Sequence, residues 1–177
     1  MLDAEKSLVK GAVGGEASAF GLLYDYYQPK IYRFVLMKVG RREEAEDLTH
    51  QVFLNAWQNI KNYESRGFPF SSWLYRIARN QVIDYYRAIR DEVPIEEVSP
   101  ESFAVPASVH IDFDKGVELR KIRSAIQLLD PVYQDVVIMR FVEDLSIKET
   151  AAILDKSEGS IKVIQHRAIK KLKTLIS

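Results

Sequence analysis

From Asp91 to Ser108 the chain carries three prolines (Pro94, Pro100, Pro106), five acids and no recurring apolar stripe. Proline cannot continue a helix or donate inside a sheet, and crowded like charges resist compaction. The stretch over roughly 91–113 therefore reads as an extended linker, since an unstructured loop beyond about 15 residues is uncommon inside a compact domain. It divides the chain into two blocks, 1–90 and 114–177.

Charge follows the same division. The whole chain balances 25 Lys and Arg against 25 Asp and Glu. Residues 1–90 hold 13 basic and 10 acidic side chains, 91–118 hold one and eight, and 119–177 hold 11 and seven. Two mildly basic blocks thus flank an acidic segment, whose charge is expected to screen their basic faces in the free chain. The absence of cysteine excludes disulfide scaffolds, thiolate metal sites and thiol catalysis, and suits a reducing cytoplasm. Unbroken apolar runs reach only four residues, as in Phe34–Met37, against the roughly 20 a spanning helix needs, so no membrane insertion is expected. Met1–Glu5 has neither a basic start nor an apolar core, so no secretory leader is expected.

Both blocks show helical periodicity and neither shows sustained strand alternation, so the fold class expected is all-α: two small helical domains joined by the linker. Phe20, Leu23, Tyr24, Tyr27, Ile31, Phe34 and Val35 follow helical spacing, with Pro29 expected to bend or break the path. Over 43–60, Leu48, Val52, Phe53, Ala56, Trp57 and Ile60 form an apolar stripe beside a polar one. Gly67 and Pro69 mark a loop, and Ser71 or Ser72 is expected to cap a helix running to about Arg90. In the second block, helices are expected over 113–129, 131–142, 146–154 and 157–175, with Pro131 at a first helical position and a capping box at Ser146 and Glu149.

A short capped helix, a tight turn and a longer helix make a helix-turn-helix. On the longer helix, Ile161, Ile164, Ala168, Leu172 and Leu175 share one side. Lys162, Val163, His166, Arg167, Lys170 and Lys173 fall on the other, with no acid after Ser160. A solvated charged face would explain the cations alone. It does not explain the capped helix and turn before them, so a groove lined with phosphates is the better match. Residues 66–90 interleave Arg66, Arg76, Arg79, Arg87 and Arg90 with Phe68, Phe70, Trp73, Tyr75, Tyr85 and Tyr86, against one acid, Asp84. Arginines that track a backbone and rings that stack on bases suit unpaired nucleic acid. Some of these rings must also serve the core. No metal-ligand spacing, phosphate loop or nucleophile–His pair stands out, so neither an enzyme nor a cofactor is expected.

The run from Ala45 to Trp57 resembles the polymerase-binding helix of the sigma-70 family. Phe70 to Asn80 resembles its −10-melting segment, and Ser146 to Leu172 its −35-reading helix-turn-helix. The whole chain resembles the extracytoplasmic-function (ECF) group. The resemblance implies sigma region 2 over 1–90 and region 4 over 114–177, in an alternative sigma factor that binds core RNA polymerase and directs promoter-specific initiation. It implies that Glu44, Asp47, Gln51 and Asn55 dock on the β′ clamp helices, and that the second block packs on the β-flap tip. Tyr63, Phe68, Phe70, Trp73, Arg76, Arg79, Asn80, Asp84 and Arg87 would meet −10 DNA, duplex and single-stranded. Ser160, Lys162, Val163, His166, Arg167 and Lys170 would meet the −35 element. It implies an anti-sigma partner, no metal and no cofactor. His50-Gln51 replaces the family's usual Gln-Glu, and Val163-Ile164-Gln165 replaces a frequent Ser-Arg-Leu. A free-standing helix-turn-helix regulator is the alternative, and it leaves the polar stripe of 43–60 unused.

Overall fold

The computed structural model describes residues 2–92 and 117–177. The described residues are helical, with no strand among them. The helices are α1 (Leu2–Val13), α2 (Ala17–Val39), α3 (Arg42–Asn59), α4 (Phe70–Glu92), α5 (Val117–Gln127), α6 (Pro131–Val137), α7 (Ile147–Leu154) and α8 (Glu158–Ile176). A 3₁₀ turn, Ile60–Asn62, follows α3, and a widened π turn, Ile138–Val142, continues α6. Most of the expected linker, the expected helix start at Phe113 and the screening by linker charge lie outside the described residues. Asp91 and Glu92 are the exception: they extend α4, because the chain meets no helix-breaking residue before Pro94.

The break expected at Pro29 does not occur, and α2 passes through it. One missing N–H bond costs less than splitting a helix that buries Leu23, Tyr27, Ile31, Phe34 and Val35 along one side. Gly40 ends α2 in the left-handed region (φ 75°), its N–H bonding the Leu36 carbonyl at 2.8 Å. Neither Ser71 nor Ser72 caps α4. The helix starts at Phe70, and the Ser72 N–H bonds the Pro69 carbonyl at 3.0 Å.

Helices α2, α3 and α4 form the first block's core around Phe34, Val52, Leu74, Tyr75 and Ala78, with α1 laid across α2 through Ala12. Phe34 and Tyr75 meet edge to face, 5.6 Å between ring centroids. In the second block, Val136 to Met139 pack against Ala151, Leu154, Ile161 and Ala168. The Ser146 capping box forms as expected: Oγ accepts from the Glu149 N–H at 3.0 Å, and Glu149 Oε2 accepts from the Ser146 N–H at 2.7 Å. Asp155 takes the left-handed conformation (φ 53°) that turns the chain into α8, whose N-cap is Ser157.

The two blocks pack on each other. Arg33 of α2 grips Glu143 with two parallel bonds of 2.7 and 2.8 Å, and the Tyr75 hydroxyl donates to the same carboxylate at 2.8 Å. Lys38 Nζ lies 2.6 Å from Asp135 Oδ1 and 3.3 Å from the Pro131 carbonyl. Arg79 Nε meets the other Asp135 oxygen at 2.9 Å, and Arg123 donates to the Gly40 carbonyl at 3.2 Å. Lys38 is 6% exposed and Asp135 1%, so this pair is sealed from water.

Candidate nucleic-acid interface

Three faces carry the residues singled out from the sequence. The first is the outer side of α3. Asp47 and Gln51 are exposed there, and Glu44 and Asn55 half-buried. Arg41 holds Glu44 at 3.0 Å, and Asn59 Nδ2 donates to Asn55 Oδ1 at 2.9 Å. Beside them an open groove of about 300 Å³ is lined by Phe20, Tyr24, His50, Phe53, Leu54 and Trp57. Spacing puts Trp57 on the apolar stripe with Val52, Phe53 and Ala56, which are buried. Instead it is exposed, packing on Phe20 at 5.0 Å between centroids. A polar row beside an uncovered aromatic groove suits a protein partner.

The second face is the start of α4 and the loop before it. Arg66 (φ 44°) and Gly67 (φ 78°) turn the loop, which lifts Phe68 into solvent. Tyr63, Phe70 and Trp73 form a ring cluster with centroids 5.1 to 5.5 Å apart. Phe70 is 4% exposed and anchors this cluster from the core, whereas Tyr63 and Trp73 are half-buried. Burial pushes the Tyr63 phenol above its ordinary value. Tyr63, Phe68, Trp73, Arg76 and Ala152 line a cavity of about 70 Å³. The Ser72 hydroxyl, also at this cavity, is buried without a hydrogen-bond partner. Farther along α4, Asn80, Asp84 and Arg87 are exposed, the last two 3.8 Å apart.

Arg76, which is exposed, and Arg79, which is half-buried, are both engaged by the second block. Arg76 donates to the Ala152 carbonyl of α7, and Arg79 is tied to Asp135. Helices α6 and α7 of the second block therefore cover part of this face. Sequence reasoning missed the acids that do so, Asp135 and Glu143, and their partners Lys38 and Arg33. The available signal was a charge inside an apolar run: Asp135 precedes Val136–Met139, and Lys38 stands between Met37 and Val39. Burial lowers the Lys38 pKa, with Asp135 acting against that shift.

The third face is the outer side of α8. Ile161 and Ala168 are buried, while Ser160, Lys162, Val163, His166, Arg167 and Lys170 are all exposed. Gln165 turns inward to accept from Arg140 Nε at 3.0 Å, and Lys171 pairs with Asp130 at 3.0 Å. The remaining cations leave an outward surface of one sign, which suits a phosphate-lined groove. Among the described residues, no group of acids and histidines is placed to hold a metal, and no helix is long and apolar enough to cross a membrane.

Comparison with known proteins gives two family matches: sigma-70 region 2 over residues 23–92 and sigma-70 region 4 over residues 119–172. The ECF RNA polymerase sigma factor BldN of Streptomyces coelicolor is 37% identical over 171 residues, covering 96% of this chain. The chain spans 64% of that relative's length. SigW of Bacillus subtilis is 30% identical over 171 residues, covering 92% of this chain and 91% of its own. SigD of Mycobacterium tuberculosis is 30% identical over 172 residues, covering 94% and 81%. In fold, the chain matches CnrH in its complex with the cytosolic domain of CnrY, with a TM-score of 0.75 at 22% identity over 98% of this chain and 97% of that one. It also matches RpoE of Bartonella quintana in complex with the anti-sigma factor NepR, with a TM-score of 0.69 at 24% identity over 89% and 96%.

Proposed function

This chain belongs to the ECF group of sigma-70 factors, and we propose that it directs promoter-specific transcription initiation by core RNA polymerase through the three faces described above. Residues 1–90 act as the polymerase-binding and −10-reading domain, and residues 114–177 as the −35-reading domain. The observation that carries this reading is the exposed, single-signed outer face of α8 together with the half-buried ring cluster of Tyr63 and Trp73 on the other block. One suits a major groove and the other an unstacked base, and initiation needs both.

On α3, Glu44, Asp47, Gln51 and Asn55, with the Phe20–Trp57 groove beside them, dock on the β′ clamp helices. Trp73 and Tyr63 take up a base flipped from the non-template strand, and Asn80 offers a donor and an acceptor to a base edge. Arg76, Arg79 and Arg87 meet phosphates, and Phe70 supports the cluster from below. Lys162, His166 and Arg167 face base edges of the −35 element, while Ser160 and Lys170 hold its backbone. The protein works where polymerase works, in the cytoplasm, without chemistry of its own. The structure of RpoE of Bartonella quintana holds the anti-sigma factor NepR, and we infer a partner of that kind here.

Run-off transcription with core polymerase on a promoter fragment library tests this reading. Specific transcripts that depend on the added chain are expected. Duplex binding by the chain without core binding, and without transcripts, would favour the free-standing regulator instead.

A further inference from the structure

We infer that the second block is a built-in competitor for the single-strand site: helices α6 and α7 occupy it in a closed form, and a promoter single strand and these helices exclude each other. This rests on the reading of Tyr63 to Asn80 as the −10 face. Asp135 sets Oδ2 2.9 Å from Arg79 Nε, a carboxylate oxygen where a phosphate oxygen would stand, while its Oδ1 is held by Lys38. The Ala152 carbonyl takes the Arg76 guanidinium, and Ala152 also forms one wall of the cavity beside Trp73. At about 70 Å³ that cavity has room for a few waters, less than a nucleobase requires. A base therefore enters only when α7 withdraws, which frees Arg76, and withdrawal of α6 with it frees Arg79.

Further contacts hold α6 and α7 in place. They are Lys38 with Asp135, Arg33 and Tyr75 with Glu143, and Arg123 with Gly40. The occlusion is also selective. Lys162, His166 and Arg167 on α8 face solvent in the closed form, so duplex binding by α8 does not require opening.

The chain has no cysteine, so Gln58→Cys and Lys173→Cys, both at exposed positions, accept a donor–acceptor dye pair that reports opening. Strand affinity is read by anisotropy with a fluorescein-labelled, random-sequence single-stranded DNA, and duplex affinity with a random-sequence duplex. Two opening variants of the full chain are compared with the parent: Asp135→Asn/Glu143→Gln, and Ala152→Arg, which leaves the buried carboxylates intact and sets a cation against Arg76. Both are expected to lower energy transfer. If the closed form outweighs the open one about ten to one, single-strand affinity rises about tenfold in both. Duplex affinity of Asp135→Asn/Glu143→Gln is expected to stay within about twofold of the parent, since α8 is untouched. Excess unlabelled strand should lower transfer in the parent. Opening without a gain in strand affinity, or a gain without opening, overturns the inference. Trp73→Ala separates the two ideas. In the opened chain it is expected to weaken strand binding, and no loss there means that the −10 reading itself falls. A loss with Trp73→Ala in a chain whose opening variants gain no strand affinity means that the −10 reading stands and the competition falls.

Discussion

Lys38→Met should expose how the two blocks are held together. In the closed form Lys38 Nζ has two acceptors on the second block, Asp135 Oδ1 at 2.6 Å and the Pro131 carbonyl at 3.3 Å. Removing the ammonium leaves Asp135, 1% exposed, with Arg79 as its one remaining cation among the described residues. Breaking a buried pair from one side costs about 3–5 kcal/mol, while replacing both partners with apolar groups is often neutral. Arg79 softens the loss, so about 3 kcal/mol is the expected cost of Lys38→Met, and a similar cost is expected for Asp135→Leu. The double variant should lie within about 1 kcal/mol of the parent, because Arg79 is partly exposed and can turn to water. The implied coupling is about 5 kcal/mol or more, far above the scatter of about 0.5 kcal/mol seen for independent sites. Opening caps the single-variant cost, since Asp135 regains water once the blocks separate. The loss then appears as lowered energy transfer rather than unfolding. Urea denaturation followed by circular dichroism gives the global term, and the Gln58/Lys173 dye pair gives the opening term. At about 2–4 °C per kcal/mol for a chain of this size the full cost would lower melting by roughly 6–12 °C, and each single variant should fall short of that by the share that opening relieves. Additive costs, with the double variant as damaged as the sum of the singles, would refute the idea that Lys38 and Asp135 act as one buried unit.

Other outcomes follow from single contacts. Arg167→Ala should weaken −35 duplex binding by about 1–3 kcal/mol, whereas Lys171→Ala, whose ammonium pairs with Asp130, should change it by less than about 1 kcal/mol in the same anisotropy titration. Asn80→Ala should leave core-polymerase binding intact and lower permanganate reactivity of −10 thymines on duplex promoters, and a template already mismatched there should restore it. Ser146→Ala removes the cap of α7 and should cost about 1 kcal/mol in urea. Burial, reinforced by Glu143, raises the Tyr75 phenol above its ordinary 10.0, and burial with Glu5 raises Tyr27. The unfolded chain therefore releases these protons first. Their contribution is full below about pH 10 and is lost as pH rises beyond it, so the melting temperature should fall there, and less steeply in Tyr75→Phe.

The parts of the fold legible in the sequence were those with a strong local signal. The Ser146–Glu149 box, the Pro131 start and the one-sided α8 each rest on chemistry within a few residues, and each forms. Pro29 misled because a local penalty was weighed without the burial along both halves of α2 that outweighs it. Helix α1 gave little sign, having only a few apolar residues to lay on α2. The exposed candidates on α8 and α3 stand where periodicity puts them. The fate of Arg76 and Arg79 could not be read locally, because their partners, Ala152 and Asp135, lie 76 and 56 residues away. A tertiary ion pair leaves no periodic trace. Its mark is only a charge standing where the surrounding register calls for an apolar side chain.

The Lys38–Asp135 contact also constrains how such a sequence drifts over generations. Each residue alone is costly to lose, and reversing either sign alone would bury two like charges 97 positions apart in the chain. Acceptable changes come in pairs: both lost to apolar residues, or both reversed with Arg79 altered as well. Domains that exchange partners freely by recombination would break this match. A second block taken from a distant lineage is therefore expected to keep its groove-reading helix in working order and yet fail to close.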